Sequence, residues 1–240
     1  VTNHLSRKEL KQDKVRETFE HGAEAVLTHT KLAGIAVLLL LLAGLGYFGW
    51  KIYADRQTGQ AQAALDDAMK IYNAPLAVAG QPTLPGDVTY VDPNQRAQDA
   101  ETKLAGVADT YPSTKPGKLA RYYAALCLMD LDKLNAASEQ LSKLDAGSDK
   151  ELGALAQYQK ALIAERSGKN DEAIKTLRAL SSIDSVLVPK PMVLLELAGV
   201  LRLTDPKQAT TVYEQIKKDY PNSNIAEQAD KELVALHPAS

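Results

Sequence analysis

Catalysis needs acids, bases, nucleophiles or metal ligands brought to one place, and the residues of this sequence that could serve are few and scattered. The one cysteine, Cys127, lies in the apolar run Ala124-Ala125-Leu126-Cys127-Leu128-Met129. A thiol there packs as a small hydrophobe and has no partner for an internal disulfide. Three of the four histidines, His4, His21 and His29, fall in the first 31 residues, and no Cys or carboxylate stands at metal-ligand spacing from them. The fourth, His237, is close to the last residue. Gly44, Gly46 and Gly49 lie inside an apolar stretch, and no Gly-Lys-Ser or Gly-Lys-Thr occurs to cradle a phosphate. Carboxylate pairs such as Asp66-Asp67 suit the solvated face of a helix. The sequence therefore predicts no enzyme, no metal or other cofactor and no small-molecule substrate. The groups better placed to act are those that make contacts, above all tyrosines, and their role depends on the elements that carry them.

Of the 240 residues 45% are apolar, enough for a buried core, while only 5% are aromatic and Ala and Leu recur throughout. This balance suits helix packed on helix, so an all-α class is expected. A net charge of -2 supplies no basic field to hold a polyanion, which argues against nucleic acid as a partner.

Residues 32–50, LAGIAVLLLLLAGLGYFGW, carry no charge and are bracketed by Lys31 and Lys51. At about 1.5 Å per residue a helix of this length covers roughly 28 Å, close to the ~30 Å hydrocarbon layer of a bilayer. Tyr47, Phe48, Trp50 and Tyr53 gather at one end, where amphipathic rings favour the headgroup layer. A cleaved signal peptide is the rival, but no small-x-small site follows in Lys51-Ile52-Tyr53-Ala54-Asp55-Arg56, so an uncleaved transmembrane anchor is expected. Six Lys or Arg precede the segment and three lie in the twenty residues after it, which favours an N-terminus inside; over the nearest twenty residues on each side the tally is even. Ala43, Gly46 and Gly49 form a strip of small residues that would admit a second membrane helix, although such residues are common in membrane helices generally. Residues 1–31 read as an amphipathic tail. It opens on the capping box Ser6-Arg7-Lys8-Glu9 and carries Leu10, Val15, Phe19, Ala23 and Val26 on one side.

Beyond the membrane, residues 51–240 read as helices. The first runs Gln57 to Tyr72, and a Pro- and Gly-rich inserted loop, 73–93, interrupts the pattern before a second helix, Asn94 to Tyr111. Shifting the remaining chain by 36 residues superposes Tyr122, Tyr158 and Leu194; Ala125, Ala161 and Leu197; Ala137, Ala173 and Ala209; Leu141, Leu177 and Tyr213; and Leu144, Leu180 and Ile216. Each unit is then a helix, a turn near Asp132, Gly168 or Thr204, and a second helix whose Ala and large apolar residue stand four apart. Small residues there let paired helices approach closely.

The Ala-x-x-x-large spacing resembles the tetratricopeptide repeat, although the 36-residue period is slightly long and the usual Trp and Leu-Gly signature of the first helix is missing. Tyr111-Pro112-Ser113 and Tyr220-Pro221-Asn222-Ser223 look like the Tyr-Pro-x-Ser junction found between such units. The expected architecture is an N-terminal transmembrane helix followed by a tetratricopeptide-like α-solenoid of helix pairs. In such arrays the first helices of the pairs line a continuous concave face. By repeat phase Tyr122, Leu126, Tyr158, Leu162, Glu165, Arg166 and Leu194 are the candidates for contacting a protein there. Tyr122 and Tyr158 either offer their rings to a partner or pack between neighbouring helices.

Anchor plus array is similar overall to the ancillary subunit family of the bacterial SecYEG translocon. The resemblance implies an inner-membrane, single-pass adaptor with a cytoplasmic N-terminus and a periplasmic array. Its partners would be the translocon, exported chains, periplasmic chaperones and the lipid bilayer. The alternative is an assembly or scaffolding subunit of another envelope complex, for outer-membrane insertion or cell division.

Overall fold

The computed structural model describes residues 30–77, 89–144 and 149–236. The tail expected over 1–31 falls outside them up to residue 29, as do the middle of the inserted loop and His237. The chain divides into two compact units, one ending at Arg56 and the other beginning at Gln57.

The first unit contains the greater part of helix α1 (Thr30–Tyr72). Its large apolar side chains, from Ile35 to Tyr53, are all more than half exposed, reaching 72% at Leu40. Among the described residues α1 is the helix long and apolar enough to cross a membrane. The aromatic end is self-associated, with the Tyr47 ring 6.0 Å from Phe48 and 6.5 Å from Trp50. A face of this composition is stable only beside something apolar.

In the second unit the last turns of α1 become amphipathic, burying Ala61, Leu65 and Ala68. After Tyr72 the chain turns out through Ala74 and returns at Tyr90, where the Ala77 amide donates to the Tyr90 carbonyl at 2.7 Å and the Tyr90 amide to that of Pro75 at 3.1 Å. Eight helices follow: α2 (Pro93–Thr110), α3 (Lys115–Asp130), α4 (Leu134–Ser142), α5 (Lys150–Arg166), α6 (Asn170–Leu180), α7 (Lys190–Thr204), α8 (Pro206–Asp219) and α9 (Asn224–Leu236). The described residues form no strand, so the class is all-α as expected. The end of α1 with α2, then α3 with α4, α5 with α6 and α7 with α8 make four helix pairs, and α9 packs on α7 and α8 at the end of the row.

The helix boundaries have local causes. At both Tyr-Pro junctions the tyrosine carbonyl accepts a hydroxyl, from Thr114 at 2.9 Å and from Ser223 at 2.8 Å; each hydroxyl in turn accepts the amide three residues on, from Gly117 and Ala226 at 3.1 Å. The hydroxyl thus caps the next helix and ties it to the end of the previous one. At the first junction the role falls to Thr114 rather than Ser113, because the cap must stand three residues after the tyrosine whose carbonyl it meets. Gly117 is forced there: a Cβ would lie 1.9 Å from the Tyr111 carbonyl oxygen.

The turns inside the second and third pairs are equivalent. Asp132 and Gly168, 36 residues apart, both take left-handed backbone, with φ of 57° and 73°. The following amides, of Lys133 and Lys169, reach back to the carbonyls of Leu128 and Ala164 at 2.8 Å, closing Schellman motifs. The fourth pair departs from this. Pro206 opens α8 and drives the preceding residue out of helical backbone. Asp205 therefore adopts φ -146° and ψ 84°, ends α7 through its own amide, and caps α8 by accepting the Gln208 amide at 3.1 Å.

The repeat register is seen most directly in Ala137, Ala173 and Ala209, each wholly inaccessible on the second helix of its pair. Leu141, Leu177 and Tyr213, one turn later, are buried to 1% or less. Replacing Ala173 by Phe should overpack this contact and cost about 1 to 3 kcal/mol, read as a lower urea midpoint; an unchanged midpoint would contradict the packing. Cys127 is buried between the first two pairs, and desolvation pushes its thiol up to about 12. It should resist a thiol reagent at mildly alkaline pH in the folded protein and react at once in denaturant.

Candidate protein-binding surface

The first helices of the last three pairs, α3, α5 and α7, place chemically similar positions beside one another at 36-residue intervals. Tyrosine hydroxyls join them. The Gln159 amide donates to the Tyr122 hydroxyl at 3.1 Å, linking α3 to α5, and the Tyr158 hydroxyl donates to Glu196 at 3.3 Å, linking α5 to α7. Burial raises the pKa of both phenols, assisted at Tyr158 by the nearby Glu196 charge, so both remain hydroxyl groups throughout the physiological range.

Arginines connect the pairs along their ends. Arg121 on α3 is almost enclosed, with its side chain 10% exposed. It donates to the Ala108 carbonyl at 3.1 Å, to Asp109 at 3.0 Å and to Gln140 at 2.6 Å, joining α2, α3 and α4. Arg166 ends α5 and clips the turn of the preceding pair, donating to the Met129 carbonyl at 3.2 Å and to Asp132 at 3.0 Å. Arg202 reaches Glu232 of α9 at 2.8 Å.

Against this frame the seven residues chosen by repeat phase separate. Tyr122 and Leu194 belong to the packed core, at 7% and 5% exposure. Leu126, Tyr158, Leu162 and Glu165 are half-buried, and Arg166 is exposed. Each therefore belongs to one of two rows, one between neighbouring helices and one at the surface. Tyr122 and Tyr158 make the interhelical hydrogen bonds described above.

Residues one position along were missed by the repeat-phase reading. Tyr123, Gln159 and Leu195 are all half-buried and occupy one repeat position. Tyr123 lies with its ring 5.1 Å from Tyr72 and 5.6 Å from Tyr122, continuing the aromatic line onto α1. The same 36-residue shift relates these three residues, but the dissimilarity of Tyr, Gln and Leu gave the sequence alone no reason to group them.

Of the small residues on the apolar helix, Gly46 and Gly49 have open space where a Cβ would stand, and the backbone at Ala43 continues the same helix.

A second feature beside α5 is a fixed loop. Glu151 accepts the Ser185 hydroxyl at 2.6 Å and the amides of Val186 and Leu187 at 3.0 Å. These bonds hold its carboxyl below the usual carboxylate range and leave Val186 and Leu187 facing outward. Surface depressions of about 410 Å³ lie between α1 and α2, lined by Ala64, Asp67, Ala68, Ile71, Lys103 and Val107, and of about 460 Å³ at the turns around Gly168 and Thr204.

Comparison with known proteins agrees with this geometry. Residues 30–184 match the model of the tetratricopeptide repeat-like domain, a span that includes the apolar part of α1 as well as the first three helix pairs. Two solved structures of nearly identical TPR-like repeats from a Podosopora anserina kinesin light chain candidate, one carrying a single substitution, superpose with TM-scores of 0.50 at 16% identity. They cover 60% of this chain and 78% and 79% of their own, and at that identity they speak to the fold alone. No curated protein matches the sequence significantly.

The two inter-pair arginines should differ in weight. Arg121→Ala strands a buried carbonyl and removes three hydrogen bonds from an enclosed guanidinium, and should cost roughly 2 to 3 kcal/mol of stability. Arg166→Ala, whose ion pair is open to solvent, should cost no more than about 1 kcal/mol. Denaturant titration of the two variants gives the comparison.

Proposed function

The chain belongs to the tetratricopeptide repeat-like family, and from that premise we propose that it is a membrane-anchored protein–protein interaction adaptor. A repeat scaffold of this kind is typically a non-enzymatic frame for contacts between proteins. The observation that carries the reading is helix α1 itself. Its first part has the length and composition of a membrane span, its last turns are built into the repeat core, and the family match covers both.

In this reading residues 32–50 anchor the chain, uncleaved, in a bacterial inner membrane. The N-terminus lies in the cytoplasm and the repeat domain in the periplasm. Ala43, Gly46 and Gly49 form the side on which another membrane helix would settle. The contact surface for proteins is the row presented by α3, α5 and α7. Leu126, Tyr158, Leu162, Glu165 and Arg166 belong to it, with Tyr123 and Gln159 beside them, while Tyr122 and Leu194 support it from within. The partners that fit are extended segments of exported chains or periplasmic folding factors, and the anchor would bring them to the translocon as an ancillary subunit does. An envelope assembly other than the translocon is the competing destination.

Photo-crosslinking in native membranes tests this reading. A crosslinking residue at Tyr123 or Leu126 should capture exported chains or chaperones, and one at Gly46 should capture a translocon subunit. Leu126→Ser with Leu162→Ser should weaken capture by up to about 2 kcal/mol, roughly thirtyfold, in a variant whose helicity is unchanged. Crosslinks from Gly46 to a different envelope complex would reassign the destination. A mature chain lacking residues 32–50 would remove the anchor.

A further inference from the structure

From Met192 onward the half-buried residues of α7 fall on one strip. Met192, Leu195, Glu196 and Gly199 stand at i, i+3, i+4 and i+7, while Val193, Leu197 and Val200 between them are sealed in the core. On α5 the same spacing picks out Leu155, Tyr158, Gln159 and Leu162, with Glu165 a turn further on. The Tyr158 hydroxyl donates to Glu196 at 3.3 Å, so the two strips adjoin.

Within this mainly apolar surface Glu196 is a half-buried carboxylate whose hydrogen bond comes from a neutral donor. Among the described residues no lysine or arginine is ion-paired with Glu196 or with Glu165. The arginines ending the same helices are engaged elsewhere, Arg166 with Asp132 at 3.0 Å and Arg202 with Glu232 at 2.8 Å. A carboxylate drawn out of water is ordinarily compensated by a cation, and here the described chain supplies none. Burial correspondingly holds the Glu196 carboxyl above its ordinary value of 4.5. Space is left beside it: Gly199, one turn along α7, has nothing within 4 Å of where a Cβ would stand.

We infer that Glu196 is the seat for a lysine or arginine side chain of a bound protein segment, whose apolar neighbours lie on Leu162 and Leu195. The inference rests on the adaptor reading and names the chemistry of its partner, a segment in which a basic residue stands among large apolar ones. Such a side chain suits the place because its aliphatic stem covers Met192 and Leu195 while its charge meets the carboxylate. The half-buried setting makes the attraction stronger than between groups open to water. An acidic segment is rejected by the same carboxylate, with no cation at hand to relieve the repulsion.

The test is selection of a displayed library of random short peptides on the full chain in detergent micelles. Peptides retained by the parent should be rich in Lys or Arg set among Leu, Ile, Phe or Met. On Glu196→Gln this basic enrichment should vanish, and the best peptide from the parent should bind about tenfold more weakly, with much of its salt dependence gone. Glu196→Lys should turn the preference toward Asp or Glu, which a loss of packing would not do. Gly199→Leu leaves every charge in place and fills the open space, and it should weaken binding of the same peptide. Retained peptides without basic enrichment, or equal binding of the best peptide by the parent and a Glu196→Gln variant of unchanged helicity, would overturn the inference and leave the adaptor reading standing. No retained peptide on the folded parent would count against the adaptor reading itself and take the inference with it. Should Glu196→Lys fail to fold, the comparison of parent, Glu196→Gln and Gly199→Leu decides.

Discussion

The second helix of each of the last three pairs turns one alanine wholly inward. Ala137, Ala173 and Ala209 are sealed completely, and the whole row rests on that contact. With no side chain beyond Cβ, the two backbones come near enough for the large residue one turn later to pass between helices and fill the gap toward the next pair. A pair on its own leaves that residue uncovered, so each pair needs its neighbour. The three core clusters correspondingly run into each other along the chain, with Tyr123 packing against two of them and Leu155 against two.

A row of pairs held only by apolar packing could slide or splay, because dispersion and burial are not directional. Direction comes from the polar links. Arg121 and Arg166 each fix one pair to the turn or helix end of another, and the Tyr122–Gln159 and Tyr158–Glu196 bonds fix the first helices laterally. A hydrogen bond in a half-buried seam is sensitive to geometry and costly to leave unmade, so it sets register more than it adds stability.

Helix α1 has different surroundings along its length. Its last turns satisfy their apolar residues inside the repeat core, whereas the stretch from Ile35 to Tyr53 has no core to enter. The change occurs within one helix because helical backbone satisfies its own hydrogen bonds whatever surrounds it; only the side chains need differ.

Much of this was legible in the sequence because it is periodic. The uncharged run 32–50 states its own length, the alternation of small and large residues at four-residue spacing marks helix pairs, and the 36-residue shift places Ala173 on Ala137 and Ala209 without any structure. Such features depend on residue type and local spacing, which the chain carries in one dimension. The tertiary structure alone decided which residues of a repeat position face a neighbour and which face outward. Tyr122 and Tyr158 share a repeat phase, yet one is nearly sealed and the other half-open, because the helix beside each differs. Likewise nothing in the spacing of Tyr158 and Glu196 announces their hydrogen bond. They are 38 positions apart, two beyond the repeat interval, and only the packing of α7 beside α5 brings the hydroxyl to the carboxyl.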